Sequence, residues 1–122
     1  MALVLVADDD PDIRDLARIL ISSRGHEVLT AGDGREAVAS MAARPPALVV
    51  TDYTMPGQDG LAVCRAVRST PGLDEIPLIL LTALPESDER VRHASTENDA
   101  IVLPKTEISR LGELADDLVS GS

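Results

Sequence analysis

The sequence of 122 residues is poor in aromatic residues and in cysteine. It has one tyrosine and neither phenylalanine nor tryptophan, so its core must consist mainly of leucine, valine, isoleucine, alanine and methionine. This scarcity excludes an aromatic platform on which nucleic-acid bases stack. The single cysteine, Cys64, has no partner for a disulfide within the chain. We expect it to be a core residue of a protein in the reducing cytoplasm.

Positive charge is also scarce. The chain has 11 Lys and Arg residues against 21 Asp and Glu residues, a formal net charge of -10. Such a chain would be repelled by DNA and by anionic membranes, so we expect no direct nucleic-acid partner and no membrane partner. Its apolar runs are far shorter than the roughly 20 residues of a membrane helix. Asp8, Asp9 and Asp10 interrupt the N-terminus before the core of a signal peptide could form.

Short apolar runs alternate with segments of helical spacing. The apolar runs predict strands at residues 3–7, 26–31, 47–50, 78–81 and 100–103. Between them, Asp10, Asp33 and Asp59 are predicted to cap the first three helices. A thinly attached helix is predicted within residues 85–98, and a closing helix over residues 108–118. Five strands alternating with five helices predict one α/β domain over residues 1–122, with a doubly wound parallel sheet.

Polar residues follow four of these strands. Asp8 and Asp9 follow the first strand, Asp52 the third, Thr82 the fourth and Lys105 the fifth. In a doubly wound sheet, chemistry is located outside the carboxyl ends of the strands. Clustered carboxylates repel one another, and a hard divalent cation such as Mg²⁺ would offset that repulsion. Acids, metal, ammonium and hydroxyl together suit a phosphoryl group, with a carboxylate as the nucleophile.

Four motifs carry a family resemblance: VLVADDDPDIRDL, VVTDYTMPGQDG, LILLTA and LPK. With them, nearly the whole chain resembles a response-regulator receiver domain, similar in extent to the single-domain chemotaxis type. The resemblance implies a flavodoxin-like (βα)5 fold with strand order 2-1-3-4-5. It also implies a signalling switch of a two-component system, phosphorylated by a histidine kinase or phosphotransfer protein and acting on a downstream protein target. Such a domain modifies itself and is not a turnover enzyme.

The resemblance also implies a set of metal ligands. Asp9 and Asp52 would ligate Mg²⁺ directly, together with the backbone carbonyl of Thr54. Asp8 would hold a metal-bound water.

The phosphoryl site is implied in the same way. Asp52 would be the phosphoacceptor, Thr82 would bond a phosphoryl oxygen and move toward the site, and Lys105 would pair with the phosphoryl oxygens. Pro56 and Gly60 would shape the loop after the acceptor.

The sequence departs from the family pattern at its last strand and near the acceptor. Val102, or Ile101 in a neighbouring register, stands where the family usually has an aromatic residue. Tyr53 is expected to pack beside the acidic loop. Thr54 and Leu84 occupy positions that tune the phosphoryl lifetime in this family, and neither carries an acid or amide that would orient water. We therefore expect slow self-hydrolysis.

A second departure concerns the residue after Lys105. The family usually has a proline in cis there, whereas this chain has Thr106. A cis bond without proline costs roughly 2.5 to 4 kcal/mol, so we expect a trans peptide. A competing register would align Pro104 with the family proline and put Leu103 in the place of the lysine.

Other metal sites are poorly supported. Residues 8–12 carry aspartates spaced as in a calcium loop, but Ile13 occupies the place that demands glycine. His26 and His93 lack any metal-ligand spacing and are predicted to be surface residues.

Two rival functions remain open. The first is a Mg²⁺-dependent aspartate-nucleophile phosphatase of the haloacid-dehalogenase type, seeded by Asp8 and Asp10, although Asp12 stands where Thr or Val is expected. The second is a receiver-like adaptor that is never phosphorylated. If the chain is a receiver, the resemblance implies that the signal leaves by protein contact through the fourth helix, fifth strand and fifth helix. That surface would include Glu89, Arg90, Arg92 and Val102.

Overall fold

The chain folds around a five-stranded parallel sheet of order β2-β1-β3-β4-β5 in a computed structural model that describes residues 1–56 and 59–120. The strands are β1 (Leu3–Ala7), β2 (Glu27–Ala31), β3 (Leu48–Thr51), β4 (Leu78–Thr82) and β5 (Ile101–Pro104). The helices are α1 (Pro11–Ser22), α2 (Gly34–Ala43), α3 (Gly60–Ser69), α4 (Glu89–Asn98) and α5 (Leu111–Val119). The predicted flavodoxin-like fold and its strand order are confirmed.

The strands are apolar along most of their length, and successive residues of a strand point to opposite faces of the sheet. Both faces of the sheet are therefore apolar. One apolar cluster lies between the sheet and helices α2 and α3, and the other between the sheet and helices α1 and α5. Leu5 and Val49 belong to the first cluster, and Val6 and Val50 to the second. All four are at most 1% exposed. Burying such a side chain stabilises the fold by about 1.5–3 kcal/mol.

Three aspartates begin helices as predicted. Asp10, Asp33 and Asp59 have extended backbones at the N-caps of α1, α2 and α3. Each side chain accepts a hydrogen bond of 2.8–3.0 Å from a backbone N–H in the first turn of its helix. These bonds satisfy donors that the helix itself cannot pair, and they fix where the loops after β1, β2 and β3 end.

His26 is buried, so the prediction that it lies on the surface is wrong. The residue is 9% exposed. Its Nδ1 accepts the backbone N–H of Ala2 at 3.1 Å, and its Nε2 lies 2.9 Å from Oδ1 of Asp116 in α5. The ring therefore ties the beginnings of β1 and β2 to the last helix. His93 is exposed as predicted and pairs with Glu97 at 2.7 Å.

Arg68, in the last turn of α3, holds together the end of the sheet where the strands begin. Its guanidinium donates to the carbonyl oxygens of Ile76 at 2.7 Å, Asn98 at 2.8 Å, Asp74 at 3.1 Å and Asp99 at 3.4 Å. One side chain thus connects α3 to the loop before β4 and to the turn before β5.

The last two helices differ in part from their predicted form. Helix α4 is thinly attached, as expected: Val91 and Ala94 are its buried apolar residues. The closing helix begins later than predicted, because Ile108 lies in a 3₁₀ turn over Lys105–Arg110. Within this turn, the backbone of Glu107 leaves helical geometry at φ -111° and ψ 23°. No helix in residues 1–56 and 59–120 has the length and apolarity needed to cross a bilayer.

Candidate functional site

Three carboxylates meet where β1 and β3 end. Asp8 and Asp9 follow β1, and Asp52 follows β3, which pairs with β1 so that Ala7 lies opposite Thr51. The backbone N–H of Asp52 donates to the Ala7 carbonyl at 2.9 Å and extends this pairing into the loop. Carboxylate oxygens of Asp8, Asp9 and Asp52 consequently lie within 4.8 Å of one another.

Lys105 supplies a positive charge to this cluster. It follows β5, and its Nζ lies 3.0 Å from Oδ2 of Asp52 and 3.1 Å from Oδ2 of Asp8. Leu103 is 2% exposed and packs in the apolar cluster against α1 and α5, so it does not take the place of the lysine. Among the described residues no peptide bond is cis, and the Lys105–Thr106 bond is trans as expected.

Burial sets the electrostatics of Asp8. Only 1% of the residue is exposed, and burial raises the pKa of its carboxyl, with the charge of Asp52 adding to that rise. The backbone N–H of Asp10, 2.9 Å from Oδ1, and the ammonium of Lys105 act in the opposite direction on this pKa. Burial also tends to lower the pKa of Lys105, but the carboxylates of Asp52 and Asp8 outweigh it and hold that pKa above its usual value. The lysine therefore remains an ammonium.

One oxygen of Asp8 lacks a hydrogen bond. Oδ2 is buried without a hydrogen-bond donor within the described part of the chain, although the Lys105 ammonium lies 3.1 Å away as an ion pair. A buried charged oxygen without a hydrogen bond is costly. Three close carboxylates with one such oxygen fit a hard divalent cation, for which Mg²⁺ is the usual carboxylate-bound example.

Hydrogen bonds from its two neighbours in the chain hold Asp52 in place. Its Oδ1 accepts the N–H of Tyr53 at 2.8 Å, and its carbonyl accepts the hydroxyl of Thr51 at 2.9 Å. The N–H of Gly60 then donates to the Tyr53 carbonyl at 2.7 Å. A Cβ at Gly60 would overlap the Asp52 carbonyl oxygen and lie 2.7 Å from the Tyr53 Cα, so only glycine fits there.

Thr82 lies at the same edge of the sheet as the acidic cluster, and Thr54 and Pro56 lie in the loop after Asp52. Thr82 ends β4 at the same edge of the sheet, is 1% exposed, and accepts the backbone N–H of Leu84 on its Oγ1 at 3.1 Å. Thr54 and Pro56 are exposed in the loop after Asp52. The structure thus brings Asp8, Asp9, Asp52 and Lys105 into one cluster, with Thr82 at the same edge of the sheet and Thr54 in the adjoining loop.

Arg14 and Tyr53 were not identified as functional residues from the sequence. Arg14 donates from Nη1 to the backbone carbonyl of Asp8 at 3.0 Å and so braces the acidic loop. Arg14 lies one turn into the helix that begins just after the aspartates, and this position is the feature of the sequence that could have identified it. Tyr53 packs beside the loop, as expected, but it also contacts residues of α4.

A family model gives the broadest comparison with known proteins. The model of the response regulator receiver domain matches residues 4–115. Response regulator MprA of Mycolicibacterium vanbaalenii is 46% identical over 88 residues, which are 72% of this chain and 37% of that protein. An uncharacterized 14.6 kDa protein of Leptolyngbya boryana is 37% identical over 102 residues, 83% of this chain and 78% of its own length. The chain therefore spans little more than a third of MprA.

Solved structures agree with the family match. Chemotaxis protein CheY4 of Vibrio cholerae superposes with a TM-score of 0.86 at 29% identity, covering 97% of this chain and 98% of that one. Response regulator TrrA of Thermotoga maritima, solved in complex with Mg²⁺-BeF, gives a TM-score of 0.82 at 33% identity, with 97% and 99% covered.

Proposed function

Because the chain belongs to the response regulator receiver domain family, we propose that Asp52 accepts a phosphoryl group from a histidine kinase or a phosphotransfer protein. Receiver domains of two-component systems are signalling switches rather than turnover enzymes, so the modified aspartate would be the signal itself. The observation that carries the proposal is the position of the Asp52 carboxylate, 3.0 Å from the Lys105 ammonium and among two further carboxylates. We also propose that residues 1–122 form a single receiver domain, which the family match over residues 4–115 supports.

The transfer step needs no proton from Asp52. One carboxylate oxygen attacks the phosphorus in line with the bond to the donor histidine nitrogen. The new O–P bond forms as the P–N bond breaks, and the electron pair of that bond returns to the imidazole nitrogen. Asp52 becomes a mixed anhydride, and its 6% exposure limits the access of water. Lys105 would offset charge on the phosphoryl oxygens, and the Thr82 hydroxyl would donate to one of them.

The acidic cluster would hold Mg²⁺. We propose that Asp9, Asp52 and the backbone carbonyl of Thr54 ligate it and that Asp8 binds one of its waters. Bound there, the ion would neutralise charge on the carboxylates and on the phosphoryl oxygens. The Asp8 oxygen that lacks a hydrogen bond supports a role in this site. The relative TrrA, solved in complex with Mg²⁺-BeF, supports the same choice of ion.

The phosphoryl group would decay slowly. Thr54 and Leu84 carry neither a carboxylate nor an amide, so neither can orient a water toward the phosphorus. Thr54→Asn should accelerate decay after the donor is removed, as followed by intact mass. An unchanged decay rate in that variant would contradict this explanation.

The phosphatase alternative is less consistent with the geometry. An enzyme seeded by Asp8 and Asp10 needs the second aspartate for chemistry, whereas the Asp10 side chain accepts the N–H of Asp12 at 2.9 Å and caps α1. Multiple turnover on p-nitrophenyl phosphate would favour that enzyme over the switch.

We further propose that the signal leaves through the surface of α4, β5 and α5. Glu89, Arg90 and Arg92 are exposed on α4, whereas Val102 is half-buried beneath it. The net charge of -10 favours a protein partner over a nucleic acid for these residues. Phosphorylation-induced amide shifts confined to other surfaces would contradict this assignment.

The decisive experiment is labelling with acetyl phosphate in Mg²⁺ or in EDTA, read by intact mass. The wild-type chain should gain the mass of one phosphoryl group in Mg²⁺ and none in EDTA. Asp52→Asn should gain none, whereas Asp12→Asn, which changes an exposed aspartate of α1, should be labelled like the wild type. A wild-type chain that is never labelled, or an Asp52→Asn chain that is labelled normally, would refute the proposal.

A further inference from the structure

The single tyrosine of the chain lies between the acidic site and α4. Tyr53 is 9% exposed, although it sits in a loop. Its ring belongs to a small apolar cluster, which we call the α4 cluster, formed by Tyr53, Leu80, Val91 and Ala94 with half-buried Leu61, Leu84 and Val102. The backbone N–H of the same residue donates to Oδ1 of Asp52. Tyr53 therefore contacts the proposed phosphoacceptor through its backbone and α4 through its ring.

Strand β5 contributes only a small side chain to this cluster. Val102 pairs with Leu80 in the sheet and lies on the same side, facing α4. Tyr53 is the largest side chain in the cluster, and it comes from the loop after β3 rather than from β5. The contact between the site and α4 is consequently carried mainly by a residue adjacent to Asp52 in the chain.

We propose that Tyr53 is the positioning residue that couples the state of Asp52 to the position of α4. This inference rests on the proposed function, because it assumes that Asp52 is modified. In this inference, the Tyr53 ring transmits the modification of Asp52 to the surface at α4.

The chemistry of Asp52 provides the driving change. The Tyr53 N–H now donates to a carboxylate oxygen, and hydrogen bonds to a charged acceptor are about twice as strong as neutral ones. Once Asp52 is a mixed anhydride, Oδ1 becomes either its carbonyl oxygen or its bridging oxygen, and both are weaker acceptors. The Tyr53 carbonyl is held by the Gly60 N–H at 2.7 Å. The backbone of Tyr53 is therefore fixed at its carbonyl, while the hydrogen bond at its N–H weakens when Asp52 is modified. We expect the Tyr53 ring to shift in response.

A second connection reaches the same cluster. Leu84 packs in the α4 cluster, and its backbone N–H donates to the Thr82 hydroxyl oxygen at 3.1 Å. If Thr82 turns its hydroxyl toward a phosphoryl oxygen, Leu84 is displaced with it. Tyr53 and Leu84 would then move against the same face of α4.

Helix α4 is able to respond to such a movement. The Arg90 guanidinium lies 5.9 Å from the centroid of the Tyr53 ring, within reach of a cation–π contact. Arg90 also pairs with Asp88, the N-cap of α4, at 2.9 Å. A shift of the ring thus reaches the first turn of the helix directly.

The test uses beryllofluoride with Mg²⁺ on the full chain. Because the sequence has no tryptophan and no other tyrosine, near-ultraviolet circular dichroism and intrinsic fluorescence report chiefly on Tyr53. Burial raises the pKa of its phenol, so the ring stays un-ionised at neutral pH. Amide spectra of Val91 and Ala94 report on α4 in the same samples. The variants are Tyr53→Leu, the conservative Tyr53→Phe, and Leu61→Ala, which removes volume from the α4 cluster without changing the loop.

We expect the tyrosine signal and the α4 amides of the wild type to change together. Tyr53→Leu should still be labelled at Asp52 by acetyl phosphate but lose most of the α4 shift. Tyr53→Phe and Leu61→Ala should both keep that shift. The inference is overturned if Tyr53→Leu moves α4 as the wild type does, or if Leu61→Ala loses the shift equally.

Three further outcomes keep the inference separate from the proposed function. If Tyr53→Leu does not fold, an unchanged tyrosine signal in a wild-type chain whose α4 amides shift is sufficient to overturn the coupling. If the wild type is never labelled at Asp52, the proposed function fails and this inference fails with it. Labelling without coupling overturns the inference alone.

Discussion

Neutralising Asp8 should stabilise the chain when no divalent cation is present. The carboxylate is 1% exposed, and in the described part of the chain its Oδ2 has no hydrogen bond beyond the ion pair to Lys105 at 3.1 Å. In Asp8→Asn the shape is kept, and the amide oxygen can still accept the N–H of Asp10. The substitution therefore removes a buried charge together with its ion pair to Lys105.

The magnitude follows from the distances in the site. Oxygens of Asp8 and Asp52 lie within 4.8 Å, which corresponds to a repulsion of about 3.5 kcal/mol at an effective dielectric of 20. The attraction to Lys105 at 3.1 Å is about 5 kcal/mol on the same scale, so the two largely cancel. What remains is the cost of keeping a charge out of water, which is several kcal/mol per ion. We expect a net gain in unfolding free energy of about 2 kcal/mol, or roughly 5–10 °C in Tm.

The assay is urea unfolding in EDTA at neutral pH and low salt. Asp12→Asn is the matched control, since Asp12 is exposed in the first turn of α1 and its loss should cost about 0.3–1 kcal/mol of helix-dipole stabilisation. Mg²⁺ at a hundred times its Kd should stabilise the wild type by about 2.7 kcal/mol and Asp8→Asn by less. An Asp8→Asn chain no more stable than the wild type in EDTA would refute the electrostatic reasoning.

Three further substitutions or modifications test the packing around the site. Gly60→Ala should lower the unfolding free energy in urea by about 1–3 kcal/mol, because its Cβ meets backbone atoms. Gly32→Ala should cost less, since the Cβ there meets side-chain atoms rather than backbone, with Arg14 Nη1 at 3.1 Å and Glu36 Oε2 at 3.6 Å. Burial raises the pKa of the Cys64 thiol to about 12, so Ellman's reagent at pH near 8 should label it only in denaturant. Arg68→Ala should cost about 1.5–3 kcal/mol in urea unfolding, whereas Arg65→Ala, which breaks an exposed ion pair, should cost much less.

Each of these predictions has a clear contradicting result. Equal stability of the Gly60 and Gly32 variants would show that the loop backbone relaxes around a Cβ. Rapid labelling of Cys64 in the folded chain would show that α3 opens far more easily than its packing indicates. If the Arg65 variant lost as much stability as the Arg68 variant, the four carbonyl contacts of Arg68 would not be what stabilises that end of the sheet.

The strands and their carboxyl ends were largely predictable because they depend on local patterns. The apolar run at residues 78–81 becomes β4, Leu78–Thr82, and a parallel sheet then places the residues after its strands along one edge. The same logic predicts that Asp8, Asp52 and Lys105 lie at one edge of the sheet. The sequence periodicities of strands and helices are sufficient to predict the strands and the residues at their carboxyl ends.

The errors concern contacts that no local pattern encodes. His26 is buried because Asp116, far away in the sequence, comes to its ring from α5, and its position at the start of a strand gives no sign of that partner. Ile108 has helical spacing with α5, but it lies in the 3₁₀ turn over Lys105–Arg110 that precedes that helix. Tyr53 could be placed near the loop, whereas its contact with α4 required the three-dimensional arrangement.

The thin attachment of α4 has a consequence for hydrogen exchange. Its buried apolar contacts come from Val91 and Ala94, while β1 and β3 are enclosed on both faces. Amide protons of α4 should therefore exchange through local opening at a much lower free energy than those of the central strands. A segment that opens and closes independently of the core can be remodelled by a partner without loosening the rest of the sheet.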